Sequence, residues 1–140
     1  MGLKDVLQDK KIVVTELTNK GEELRKQWEN KFADSISLVE KDSIYFDQFL
    51  WHVFSYEKLS CLKDEEAIKA FNNEIKKVCY VFYQHDDHAL MLNNAERIKA
   101  EDFENENDVY VVDKDFEWTY VHTHEYYCGP YFYKPIKKTK

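Results

Sequence analysis

Apolar and polar positions follow two rhythms along this chain, and each predicts a different kind of element. Lys11–Thr15 (KIVVT) is a β-branched run that predicts a short strand. Beyond it, Leu24, Trp28 and Phe32 recur at i, i+4 and i+8, the apolar stripe of a helix. Asn19 stands at the expected N-cap of that helix, with Glu22 at the capping-box position. Glu22 and Lys26 are spaced as an i,i+4 ion pair on its outer face. Asp64–Lys76 carries a second helical stripe in Ala67, Ile68, Phe71 and Ile75. Acids open it and Lys76 and Lys77 close it, as the helix dipole favours.

Val78–Tyr83 (VCYVFY) is apolar or aromatic on both faces, which predicts a central strand covered on both sides. His85–His88 reads as the polar turn after it and Ala89–Leu92 as the returning strand. Asn93 or Asn94 is placed to cap a helical turn over Ala95–Ile98. Lys99–Asp108 is the most polar stretch and predicts a solvated turn or short helix. Val109–Val112 and Trp118–His124 flank the turn DKDFE as a hairpin. Tyr131–Tyr133 adds a last strand that Pro135 ends. Ile44–Tyr56 fits both rhythms: Phe46, Phe49, Leu50 and Val53 make a helical stripe, yet Phe49–Tyr56 is aromatic enough for a buried strand. The expectation there is helix to about Asp47, then strand. The sum is an α+β fold, a single domain over 1–140, with a mainly antiparallel sheet and two to four helices packed on it. A frayed tail is expected from about residue 136.

Composition and charge narrow the function classes. Twenty-two of the residues are Trp, Tyr or Phe (three, ten and nine), enough bulky side chains for a core. With 27 acids against 20 bases the net charge is −7, and only Arg25 and Arg97 are arginines. That balance argues against nucleic acid or an anionic membrane surface as partner. No stretch has the length and apolarity of a membrane span, and the first residues lack the apolar run of an export signal. The expectation is a cytoplasmic protein with reduced thiols at Cys61, Cys79 and Cys128.

The segments Tyr45–Tyr56, Cys79–His85 and Val109–Phe116, the THE triplet of Thr123–Glu125 and the GPYF of Gly129–Phe132 resemble the short bacterial proteins of domain of unknown function 4275. The likeness runs over nearly the whole chain. It implies a compact bacterial cytosolic protein, and it brings no catalytic residues and no activity with it.

Three groups of side chains could carry chemistry. His122 and His124 stand two apart on a predicted strand and so share a face. With Glu125 and with His85 from the turn after another strand, they form a chemically sensible set for a divalent transition metal. Against this, a bare HxH is a weak pattern, and Trp118, Tyr120, His122 and His124 also read as one amphipathic aromatic face. Cys128 lies before Gly129-Pro130, where a bend could expose it, but a thiol becomes a nucleophile only when its pKa is lowered. The C-terminal aromatics Trp118, Tyr120, Tyr126, Tyr127 and Tyr131 could form a partner-binding patch, since Tyr and Trp are favoured interface anchors. No residues read as a catalytic set, so the sequence leans away from an enzyme. The leading expectation is a non-enzymatic protein-interaction module, of inhibitor or immunity type, whose partner is another protein. A metal-binding protein or hydrolase using the histidines is the second. A small-molecule binder with a pocket lined by Trp51, Tyr83 and Trp118 is the third.

Overall fold

The computed structural model describes residues 2–135; the expected frayed tail from about residue 136 lies outside them. The helices are α1 (Leu3–Asp9), α2 (Gly21–Phe32), α3 (Leu38–Ser43), α4 (His52–Ser55) and α5 (Asp64–Asn73). The strands are β1 (Val13–Leu17), β2 (Leu62–Lys63), β3 (Val78–Tyr83), β4 (Ala89–Asn93), β5 (Val109–Asp113), β6 (Thr119–His122) and β7 (Tyr131–Tyr133). They form one antiparallel sheet in the order β1-β4-β3-β5-β6-β7-β2. The fold is the α+β class that the sequence predicts.

Period-two alternation divides the sheet between two cores. On one face Phe82, Tyr110, Val112, Val121 and Tyr131 meet Leu24, Trp28 and Phe32 of α2 and the segment 44–54. On the other, Cys79, Val81, Val109, Val111 and Tyr120 meet Leu7 of α1, Ala67 and Phe71 of α5, and Phe103. The continuous apolar runs of β3 and β5 are therefore those of strands buried on both faces. Trp28 sits fully inside, edge-on to Phe32, Phe54 and Tyr110. Its indole Nε1–H donates to the Thr119 hydroxyl at 2.9 Å, so the ring's one polar group is satisfied.

The α2 stripe and the Glu22–Lys26 pair (3.5 Å) stand as predicted, but the cap differs. Asn19 lies in the left-handed region, Lys20 occupies the N-cap and no side chain caps the helix. Close packing replaces the cap: the Gly21 N–H donates to the Asp87 carbonyl at 2.8 Å. Arg25 then donates to the Tyr83 and Asp86 carbonyls and pairs with Asp87.

Ile44–Tyr56 contains no strand. It winds through turns into α4, burying Phe46, Leu50, Trp51, Val53 and Phe54. The N–H groups of Leu50 and Trp51 donate to the Gln84 and Tyr110 side chains, partners a ladder would otherwise supply. The helix expected over Asp64–Lys76 stops at Asn73, which leaves Ile75 exposed at 78%. Lys76 is buried at 2% exposure, and its ammonium returns to the Phe71 and Glu74 carbonyls at the helix end. Burial, with Lys99 nearby, lowers its pKa to about 8. The turn expected at Ala95–Ile98 is a 3-10 turn over Ala95–Arg97, with Asn94 left-handed before it and making no cap hydrogen bond.

Candidate functional site

β6 ends at His122, and the chain then makes a tight loop before re-entering the sheet as β7. The Thr123 hydroxyl organises this loop: it accepts from the Glu125 N–H and reaches the Glu125 and Cys128 carbonyls. The Cys128 N–H closes back on the Glu125 carbonyl at 3.0 Å. Gly129 follows with φ +91°, a conformation that disfavours a side chain, and the Gly129–Pro130 bond is cis. The loop's own hydrogen bonds thus turn the backbone inward and leave Tyr126 and Tyr127 projecting, 91% and 92% exposed. Their rings meet edge-to-face with centroids 5.2 Å apart.

Beneath this loop lies a cleft of about 700 Å³. α5 supplies Asp64, Glu65 and Ile68, the stretch before β5 supplies Glu104 and Asn107, and the loop supplies Glu125 and the two tyrosines. The Asp64 N–H donates to the Pro130 carbonyl at 2.9 Å, joining the start of α5 to the loop. Four carboxylates line the cleft and no Lys or Arg does. Among the described residues, Asp64, Glu65 and Glu104 make no ion pair with a cation.

One wall is fixed by Asp108, whose backbone is left-handed at φ 54°. Its carboxylate accepts from Trp51 Nε1 at 3.0 Å, from the His124 N–H at 3.2 Å and from His124 Nδ1 at 2.9 Å. His124 Nε2 lies 3.6 Å from Glu125, and the Cys128 thiol donates to the other Glu125 oxygen at 3.2 Å. Burial and this carboxylate both raise the Cys128 pKa. The environment therefore favours the thiol over the nucleophilic thiolate, against the reading of Cys128 as a catalytic group.

The predicted metal ligands are only partly assembled. His124 and Glu125 meet, but His122 donates through Nδ1 to the Glu106 carbonyl at 2.8 Å, and His85 packs edge-on against Phe49. No three of His85, His122, His124 and Glu125 bring ligand atoms within 4.8 Å of one another, whereas a transition metal needs them converging at about 2 Å from one point. The shared face fails because β6 ends at His122, so strand alternation no longer governs His124. Among the described residues the one such cluster is Asp113, Asp115 and Glu117 in the β5–β6 turn, where Asp113 also accepts from the Asp115 and Glu117 N–H groups.

Of the predicted interaction residues, Tyr126 and Tyr127 are free at the surface, but Trp118, Tyr120 and Tyr131 are buried. Helices cover both faces of the sheet, so neither side of β6 or β7 stays open. The same covering separates Trp51 from Trp118, which belong to opposite cores. The cleft carboxylates were not legible as a group, because three separate segments supply them. Phe49 was missed as the residue around which His52, His85 and His124 collect, at centroid distances of 5.1–5.3 Å.

Among known proteins, the model of the family described as Domain of unknown function (DUF4275) matches residues 1–132. No curated protein and no solved structure matches the chain.

Proposed function

The chain belongs to the DUF4275 family, and on the geometry of its cleft we propose that it is a non-enzymatic protein-interaction module that captures a basic partner beneath Tyr126 and Tyr127. The observation that carries this reading is the cleft's lining: four carboxylates, no Lys or Arg, and two almost fully exposed tyrosines at the rim. An exposed Tyr pair supplies contact area at low entropic cost, as interface anchors do. The carboxylates favour a cationic partner by charge complementarity, and the net charge of −7 steers it. An inhibitor or immunity-like role, neutralising a basic effector, is one concrete form of this activity. The proposed setting is the bacterial cytoplasm, and among the described residues no helix is long and apolar enough to cross a membrane.

The test compares two variants with the same change in net charge, using lysozyme as a small folded basic probe. Glu65→Gln/Glu104→Gln/Glu125→Gln removes three of the cleft's four carboxylates; Asp5→Asn/Glu22→Gln/Glu23→Gln removes three from α1 and the first turn of α2. The cleft variant loses about tenfold in affinity at low salt and the remote variant about twofold, as expected where close charge pairs rather than net charge decide binding. Equal losses in the two variants would show that only the overall charge matters and would overturn the reading.

A further inference from the structure

The cleft does not end at His122. A second depression of about 490 Å³ shares Ile68, Glu104, His122 and Pro130 with it and continues between α5 and the turn at Ala100–Phe103. Together they form one elongated groove. Its lining combines apolar Ile68 and Pro130 and the ring of Tyr120 with the carboxylates of Glu65, Glu101 and Glu104. Lys99 lines only the far end, away from the tyrosines. The long shape suits an extended chain better than the convex surface of a folded domain.

Resting on the proposed capture of a basic partner, we infer that what enters the groove is an extended segment bearing arginine, with one guanidinium placed between the Tyr126–Tyr127 pair and the cleft carboxylates. Two independent features select arginine over lysine. The tyrosine rings stand edge-to-face and more than nine-tenths exposed, so a ring face is open to a flat cation. Arginine stacks on aromatic faces more readily than an ammonium does. The carboxylates of Asp64, Glu65 and Glu104 make no ion pair with a cation among the described residues, so their oxygens are open to the guanidinium fork, which a carboxylate can accept bidentately. Lys99 at the far end repels a long cationic run, so the basic stretch is short.

The experiment titrates the full 140-residue chain with two unstructured, acetylated and amidated probe peptides, (Arg-Gly)3 and (Lys-Gly)3, by fluorescence anisotropy at low salt. The arginine peptide binds at least about threefold more tightly than the lysine peptide. Tyr126→Ala/Tyr127→Ala reduces that preference while leaving the thermal midpoint unchanged, because both rings are at the surface. Equal affinity for the two peptides, or a preference that loss of both tyrosines leaves undiminished, overturns the inference. Binding of lysozyme without binding of either peptide overturns the extended-segment inference and leaves capture of a basic partner standing. Failure of all three probes overturns both.

Discussion

Replacing Gly21 by Ala sets two opposed effects against each other, and the structure decides between them. Alanine in a helix is worth about 1 kcal/mol over glycine in an exposed interior position, and less in the first turn, where Gly21 sits. Against that gain, a Cβ at Gly21 would lie 2.5 Å from the Asp86 carbonyl oxygen and 2.7 Å from Asp87 Cα. These are 0.9 Å and 0.7 Å short of the 3.4 Å at which ordinary contact begins. Both obstacles are backbone, so no side chain can swing aside. Either α2 or the turn 84–88 must move, at a cost of about 1–3 kcal/mol for overpacking. The movement also stretches the Gly21–Asp87 hydrogen bond and the Arg25 bonds to Tyr83 and Asp86, each worth about 1 kcal/mol net. The expected net loss is about 2 kcal/mol, or about 8 °C in Tm for a chain of this size. Thermal and urea unfolding followed by circular dichroism measure it, with the urea midpoint falling at constant m. Gly2→Ala, whose Cβ meets nothing within 4 Å, is the control. An unchanged or raised Tm in Gly21→Ala would refute the claim that close packing anchors α2 against this turn.

Three further outcomes follow from the packing and the site. Thr119→Val leaves the buried Trp28 indole N–H without an acceptor and costs about 1–3 kcal/mol, whereas Thr119→Ser keeps the hydroxyl and loses less; chemical denaturation of both separates the hydrogen bond from the methyl group. Stability falls as pH rises above about 9–10: burial raises Cys61 to about 11 and Cys79 to about 12, and pushes Tyr110, Tyr120 and Tyr131 upward, so the unfolded chain releases these protons first. Lys76, lowered to about 8, acts oppositely and contributes rising stability between about pH 8 and 10.5; a Tm that stays flat from pH 8 to 11 would contradict this balance. No three of His85, His122, His124 and Glu125 converge, so excess zinc gives the wild type and His122→Ala/His124→Ala the same Tm shift; a rise of several degrees in the wild type that the double variant loses would mean that the histidines gather on binding.

Much of the fold was legible where one rhythm dominates. Leu24, Trp28 and Phe32 have a single helical reading, and the two-sided apolar runs of β3 and β5 state that both faces are covered. Ile44–Tyr56 was not legible, because its decisive partners, Gln84 and Tyr110, lie 34 and 59 residues away. α1, with Leu7 its only buried residue, has too short a pattern to stand out. The aromatic C-terminus was legible as composition but not as surface. Trp118, Tyr120 and Tyr131 look the same in sequence as Tyr126 and Tyr127, and only the covered sheet and the Thr123-pinned loop sort them into core and rim. The cleft is a product of topology: Glu65, Glu104 and Glu125 are far apart in sequence and come to line one cleft because α5 packs against β7 and stacks Phe71 on Tyr120 of β6.

On the proposed reading, a basic partner is captured at this cleft and not elsewhere on an acidic surface. The most direct measurement is a titration of isotopically labelled protein with lysozyme at low salt, following the backbone amide signals residue by residue. Capture at the cleft gives shifts and broadening concentrated at Asp64–Ile68, residues 101–107 and Glu125–Pro130, with α1 and the outer face of α2 unaffected. Perturbations spread evenly over the acidic residues of the whole surface, or none at the cleft, would contradict it.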